Sequence, residues 1–298
     1  MKDMIKFYYN LDGEIVEDNL DCALFLCDDT YYYFIKYNRT QEELNDILQV
    51  VKEMQDKHIK SDEVIPNIHG TYLTNEHVLV KISYFLNDEL TIKDIMRYNK
   101  QLHLSSKYVN NWANLWKEKI DYLEYQIREL GKDKKILIHS FSYYIGMAED
   151  ALLMLSKIER RYSPNSHLVL SRVRVGYPAY AKDYFNPVQY IFDNPMRDIA
   201  EYLKSKFFAG EDIQEDLKCV FSQPYTPYEY NMFYARMLYP SYYFDLYEDI
   251  ILNKKEEKEL YAMLNKIDDY EYFLKDLYFY LSKYCQIEQV EWITKKGV

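Results

Sequence analysis

The stretch Tyr31-Tyr32-Tyr33-Phe34-Ile35-Lys36-Tyr37, followed at once by Thr40-Gln41-Glu42-Glu43, decides how the first part of the chain is read. Aromatic and β-branched residues favour a pleated strand. With a period of two, Tyr31, Tyr33, Ile35 and Tyr37 share one face, and Tyr32, Phe34 and Lys36 share the other. Lys36 is then a lone cation on a largely aromatic face. Thr40 and Glu43 have the spacing of a capping box, in which hydroxyl and carboxylate each satisfy an exposed amide of the first helical turn. Leu44, Ile47, Leu48, Val51 and Met54 recur at helical spacing behind it, so the pattern predicts a helix from about Thr40 to Gln55.

Working outward, Leu20 to Cys27 is a second β-rich run, separated from the first by Asp28-Asp29-Thr30, a hairpin signal. Beyond the helix, Asn67 to Thr74 and His77 to Phe85 read as a strand pair around Thr74-Asn75-Glu76. From Leu90 onward helices take over. Trp112 to Leu130 places Trp112, Leu115, Trp116, Ile120, Leu123 and Ile127 on one side and closes at Gly131, a C-cap residue. Gly146 to Ile158, Pro195 to Phe207, Pro227 to Asn253 with a break at Pro240, and Glu256 to Tyr284 follow as helical segments. The expected fold class is α+β: a small antiparallel-sheet lobe over residues 1–86 and a larger helical lobe over residues 87–298.

The bulk numbers agree with an ordered chain. It has 298 residues, 48% apolar and 29% charged, with only 7 Gly and 8 Pro, so no linker or low-complexity tail is expected. A formal charge of -11 works against binding nucleic acid or anionic lipid, both of which need clustered cations. No stretch reaches the roughly 18 apolar residues of a membrane span, and Met1 to Asn10 lacks the apolar core of a signal peptide. A cytoplasmic protein is expected. Cys22, Cys27, Cys219 and Cys285 form no C-x-x-C pair and read as reduced, mostly buried thiols. The 34 tyrosines suit surfaces where proteins meet, although an AT-rich genome gives the same enrichment.

Five segments carry a resemblance: Trp112-Ala-Asn-Leu-Trp116 with Lys119 to Glu124; Phe141 to Glu149; Asp193-Asn-Pro-Met-Arg-Asp-Ile-Ala-Glu-Tyr202; Tyr234-Ala-Arg-Met-Leu-Tyr-Pro240; and Tyr243-Phe244. In this order and spacing they resemble the spore-coat proteins of the CotS and YutH type, a branch of the aminoglycoside-phosphotransferase and protein-kinase-like superfamily. The resemblance implies a two-lobed kinase-like fold. It also implies a spore-coat location and coat components as partners if the source forms spores.

Phosphoryl transfer needs a loop over the phosphates, a lysine on them, carboxylates holding magnesium and a base for the accepting hydroxyl. A glycine cradle is missing from the first hairpin, where only Gly13 is available. By the resemblance Lys36 takes the place of the strand lysine, which would pair with a helix glutamate; Glu43 is the nearest candidate. The catalytic loop corresponds to His167-Leu-Val-Leu-Ser-Arg-Val-Arg174, which puts Val173 where the base would stand, and valine takes no proton. A rival placement is the apolar run Ile136-Leu-Ile-His139-Ser140, read as a strand before a histidine, and it also lacks a following aspartate. Asp193, after the apolar Val188 to Phe192, is the surviving candidate for a magnesium carboxylate, yet Asn194 before Pro195 is also a good helix N-cap. Arg197 and Asp198 read as structural braces.

Other chemistries have no foothold. There is no G-x-S-x-G, H-E-x-x-H, Rossmann or Walker pattern, and the six histidines are scattered. The expectation is therefore a non-catalytic kinase-fold scaffold with protein partners, no catalytic or metal residues and no cofactor. Lys36 and Asp193 are its nucleotide-binding candidates. The alternatives are an active small-molecule kinase of the aminoglycoside or choline type, or a nucleotide-binding regulator, each of which would use ATP and magnesium.

Overall fold

The computed structural model describes residues 1–19, 21–83, 86–99, 112–162 and 168–297. Asp28 and Asp29 both take left-handed backbone angles, φ 46° and 60°, the geometry of a two-residue turn that suits right-twisted strands. The turn joins β2 (Cys22–Cys27) to β3 (Thr30–Lys36), with Leu24 opposite Tyr33 and Ala23 opposite Phe34. β1 (Glu14–Asp18) flanks β2 across a bulge between Ile15 and Glu17. β4 (Glu63–Ile65) and β5 (His77–Lys81) complete an antiparallel sheet in the order β1-β2-β3-β5-β4.

Two readings of this region need correction. A helix precedes the strands: α1 (Lys2–Tyr9) packs Ile5 and Tyr9 on Phe25, Phe34 and Leu79. It therefore covers the sheet face to which Lys36 belongs. The strand expected at Asn67 to Thr74 is a turn, and the strand before β5 lies earlier, at β4. Asn67 accounts for this, because its Oδ1 accepts from the amides of His69 and Thr71 at 2.9 and 3.1 Å. Those donors are then lost to a ladder. Between β4 and β3 in sequence, α2 (Gln41–Asp56) forms with the full Thr40–Glu43 capping box.

The remaining elements are β6 (Glu89–Leu90), α3 (Ile92–Asn99), α4 (Trp112–Leu130), α5 (Lys135–Arg161), β7 (Val169–Arg172), β8 (Ala179–Tyr180) and α6 (Ala181–Tyr184), followed by β9 (Tyr190–Asp193) and α7 (Arg197–Ala209). Then come α8 (Gln214–Val220), α9 (Pro227–Leu238), α10 (Ser241–Ile251), α11 (Leu260–Leu264), α12 (Ile267–Leu281) and α13 (Glu291–Thr294). β6 pairs with β8, and β7 with β9. By internal packing the chain divides into two compact units. One holds Met1–Thr91, Arg172–Arg174 and Pro178–Ile191, and the other Ile92–Ser171, Val175–Tyr177 and Phe192–Val298.

Within the second unit α9 is buried all round, from Tyr228 to Leu238, and packs against α5, α7 and α12. A helix apolar on every side belongs in a core. The Ile136 to Ser140 run is not a strand. Leu137, Ser140, Phe141, Tyr144, Ala148, Ala151 and Leu155 are buried at helical spacing along α5, of which those residues form the first turns. Gly146 lies inside this helix rather than at its start. α9 and α10 part at Pro240, where the sequence placed a break, whereas the segment expected as one helix from Glu256 is divided, with α11 and α12 parting at Asn265 and Lys266. Much of the tyrosine content is core, as in the Tyr144–Tyr243 stack at 3.8 Å between ring centroids.

Candidate functional site

β7 and β9 carry the residues that sequence reasoning marked. In the second unit Asp193 ends β9 with 1% of its surface exposed. Its Oδ1 accepts from the backbone amide and Nδ2 of Asn194 at 2.7 and 2.8 Å. Its Oδ2 accepts from Arg197 Nη1 at 2.9 Å and from the guanidinium of Arg236 on α9. Both oxygens are thus committed to donors on the protein itself. A magnesium ion at this carboxylate would have to displace two guanidinium groups, whose charge opposes a third cation at close range. Asn194 does not cap α7 directly. Its Oδ1 accepts from the Met196 amide at 3.0 Å, and the helix begins at Arg197, two residues later than the Pro195 start that the sequence suggested.

The cations are held over aromatic rings. Arg197 lies 4.8 Å and Arg236 5.0 Å from the Trp112 centroid, and Arg236 lies 5.6 Å from Trp116. Trp116 in turn stacks on Tyr239 at 4.0 Å. Such contacts gain strength when desolvated. One helical turn along α7, Lys204 Nζ donates to Glu201 at 2.9 Å, to the Tyr239 carbonyl at 3.0 Å and to Ser241 Oγ at 2.7 Å, while Ser241 donates to Glu201 at 2.6 Å. Burial alone would raise the Glu201 carboxyl, but Lys204 and Arg197 hold it down at about 2. Burial lowers the pKa of both Arg236 and Lys204, opposed by Asp193 and Glu201 respectively. Asp198 is fully buried in the first turn of α7.

Arg236, Glu201 and Lys204 were missed by sequence reasoning. The available signal was a lone arginine inside the apolar run Met232 to Tyr239, which a buried helix tolerates only when the charge is paired.

The remaining predicted residues lie in the first unit. Lys36 shares its strand face with Tyr32 and Phe34, on which α1 packs, and its Nζ makes no ion pair or hydrogen bond among the described residues. Glu43 is spent on the capping box, accepting from the Thr40 amide at 2.9 Å and hydroxyl at 3.1 Å. Gly13 is needed for packing, since a Cβ there would stand 2.0 Å from the Leu26 carbonyl oxygen. Val173 follows β7 and donates its amide to the Gln189 carbonyl at 2.8 Å; His167 lies outside the described residues. Arg172 is buried with its guanidinium 3.6 Å from the Tyr184 centroid, and its Nε donates to the Tyr184 carbonyl at 2.9 Å. Arg39 donates to the carbonyls of Tyr190 and Val188 at 2.9 and 2.6 Å.

Two carboxyls of this unit also escaped notice. Asp62 is fully buried, accepts the Ser83 amide at 2.8 Å through Oδ1, and leaves Oδ2 without a partner among the described residues. Burial pushes its pKa up to about 7, helped by nearby Asp183. Asp183, itself raised by burial, accepts from the Tyr33 hydroxyl at 3.5 Å. Among the described residues no group of three or more His, Cys, Asp or Glu side chains could hold a metal ion, and no helix is long and apolar enough to cross a membrane.

A family model described as "Spore coat putative kinase YutH" matches residues 2–277. The endospore coat-associated protein YutH of Bacillus subtilis (strain 168) is 26% identical over 212 residues, 63% of this chain and 62% of that protein. The chain therefore matches about three-fifths of the length of that curated relative. Among solved structures, the AMP-bound spectinomycin phosphotransferase APH(9)-Ia is similar with a TM-score of 0.53 at 11% identity, over 90% of this chain and 94% of that one. Its complex with ADP and spectinomycin gives a TM-score of 0.50 at 12% identity, over 96% and 94%. The shared feature is the aminoglycoside phosphotransferase-like fold, with the five-stranded antiparallel sheet and the larger helical part expected from sequence.

Proposed function

The chain belongs to the YutH family of spore-coat kinase-like proteins, and from that premise we propose that it is a coat-associated scaffold in which the kinase fold no longer transfers phosphoryl groups. The observation that carries this reading is the Asp193 carboxylate, with both oxygens engaged by Asn194, Arg197 and Arg236 inside a buried cluster. Support also comes from Val173 at the position the resemblance gives to the base, and from Gly13 serving strand packing rather than a phosphate cradle. The name of the Bacillus relative supports the coat, and hence other coat proteins, as location and partners.

A thermal-shift titration with ATP, with and without magnesium, tests the reading. Ligand at about a hundred times its dissociation constant adds roughly 2.7 kcal/mol to a native state that binds it, a shift of a few degrees for a chain of this size. No shift at millimolar nucleotide is the expected result. A magnesium-dependent shift removed by Asp193→Asn would overturn it in favour of a nucleotide-binding regulator or a kinase.

A further inference from the structure

An open groove of about 870 Å³ lies within the second unit, walled by α8 and α12 and closed at one end by the last turn of α7. Its floor is apolar: Phe207, Leu217, Phe221, Phe273 and Leu277. At the rim Tyr272 is 48% and Phe279 50% exposed, and contiguous exposed apolar surface of this kind marks interaction sites. Along α12, Asp269, Tyr272, Phe273, Asp276 and Tyr280 recur at helical spacing on the groove side. The opposite side of the same helix buries Tyr270, Leu274 and Leu281. α12 therefore has two functional faces, one in the core and one turned to the groove.

The charges around the groove are one-sided. Glu211, Asp212, Asp269 and Asp276 line it, all exposed, and none makes an ion pair among the described residues. Of the two lining lysines, Lys218 is paired with Glu215 at 2.6 Å and Lys283 lies 5.7 Å from the Tyr280 centroid. Asp212 also accepts the Gln214 amide at 2.9 Å, and an aromatic trough edged by exposed carboxylates outside any ion pair is complementary to a guest that is apolar along one side and cationic at its flanks. An amphipathic helix laid between two helices meets this description, its apolar anchors at i, i+3, i+4 and i+7 entering the trough. We propose that the α8–α12 groove is a docking site for a basic amphipathic helix of a partner protein. The proposal deepens the scaffold reading and rests on it for the protein nature of the guest.

The probe is a synthetic fluorescein-labelled helical peptide of leucines and lysines in amphipathic register, with a leucine–glutamate peptide of the same pattern as its counterpart. Fluorescence anisotropy with the full chain should show binding of the lysine peptide alone. Phe279→Ser should weaken that binding about tenfold, as hot-spot aromatics do, and Asp269→Lys/Asp276→Lys should do the same. Glu118→Lys/Glu129→Lys, two exposed positions on α4, makes the same change in net charge away from the groove and should leave affinity nearly unchanged. Absence of binding, equal binding by the groove variants, or equal loss in the α4 control would each overturn the proposal. So would a wild-type dimer that Phe279→Ser converts to monomer, which would make a second copy the occupant. Failed peptide capture beside a flat nucleotide response removes the groove alone. Intact capture beside a magnesium-dependent nucleotide response removes the scaffold reading alone.

Discussion

The guanidinium of Arg236, carried on the buried helix α9, closes on the carboxylate of Asp193 at the end of β9, 43 residues away, with the two side chains 3% and 1% exposed. Desolvating both charges costs several kcal/mol for each ion, so the pair survives only because Arg197, Asn194 and the Trp112 and Trp116 rings complete its surroundings. Removing one partner strands the other. Asp193→Asn or Arg236→Met alone is expected to cost about 3–5 kcal/mol, while Asp193→Asn/Arg236→Met should lose less than the sum of the two. All three tryptophans, Trp112, Trp116 and Trp292, lie in the same unit as the pair. Urea unfolding followed by tryptophan fluorescence therefore reads the effect directly, and strict additivity would show that the pair is not coupled.

Glu201 gives this unit an acid limit. Its folded-state pKa of about 2 lies below the ordinary glutamate value of 4.5, so its contribution is complete above the unfolded value and fades as pH falls through the folded one. The shift sets an upper bound of about 3 kcal/mol. Glu201→Gln should flatten the fall in stability between about pH 5 and pH 2, which a pH series of urea midpoints would show. An unchanged slope would mean that Lys204 and Ser241 do not hold this carboxylate as the geometry indicates.

Asp62 acts in the opposite sense. Its folded pKa of about 7 lies above the ordinary aspartate value of 3.8. Between those values the folded state keeps a proton that the unfolded chain releases. Stability is then highest on the acid side and declines as pH rises toward 7, by at most about 4 kcal/mol. Asp62→Asn keeps an oxygen for the Ser83 amide and removes the ionisation. The variant should match the wild type near pH 3, draw ahead as pH rises past the unfolded value, and exceed it most near pH 8. No tryptophan lies in this unit, so hydrogen exchange at the β2 and β3 amides is the measurement. A variant less protected than the wild type at pH 8 would show that the carboxyl is not held neutral.

The parts of the fold legible in sequence are those decided by neighbours a few residues apart. Thr40 and Glu43 announce α2, Asp28 and Asp29 announce the hairpin, and Leu24, Tyr33 and their neighbours announce alternating faces. Errors came where a short apolar run fits either period, as at Ile136 to Ser140, or where one side chain redirects the backbone, as at Asn67. α1 was missed because eight residues with two core contacts give little periodic signal. The candidate site divides in the same way. Asp193 and Arg197 are four residues apart and could be weighed together, whereas Arg236 reaches them only through the packing of α9 on α7.

Two capping boxes offer a local test free of charge burial. Thr40 accepts from the Glu43 amide and Thr226 from the Glu229 amide, each at 3.2 Å, and each glutamate answers to the threonine amide. Thr40→Ala and Thr226→Ala should each cost about 1 kcal/mol. The first should lower exchange protection in α2 and the second should lower the tryptophan-detected urea midpoint, because the caps sit in different units. Loss of both signals in one variant would indicate that the two units unfold together.

A carboxylate introduced at Val173, the position the resemblance gives to the base, should not bring about phosphoryl transfer. Val173→Asp supplies a group that can accept a proton, but Asp193 would still be held by Arg197 and Arg236 with no lone pair free for magnesium. Phosphoryl transfer rests on positioned charge around the phosphates, so on the scaffold reading one added carboxylate supplies neither a free metal ligand nor a glycine cradle. ATP turnover by the wild type and by Val173→Asp, followed as inorganic phosphate release with magnesium present, should both equal the buffer rate. Turnover by the wild type would overturn the scaffold reading at once. Turnover by Val173→Asp alone would show that the Asp193 cluster opens in solution and that the base was the one part missing.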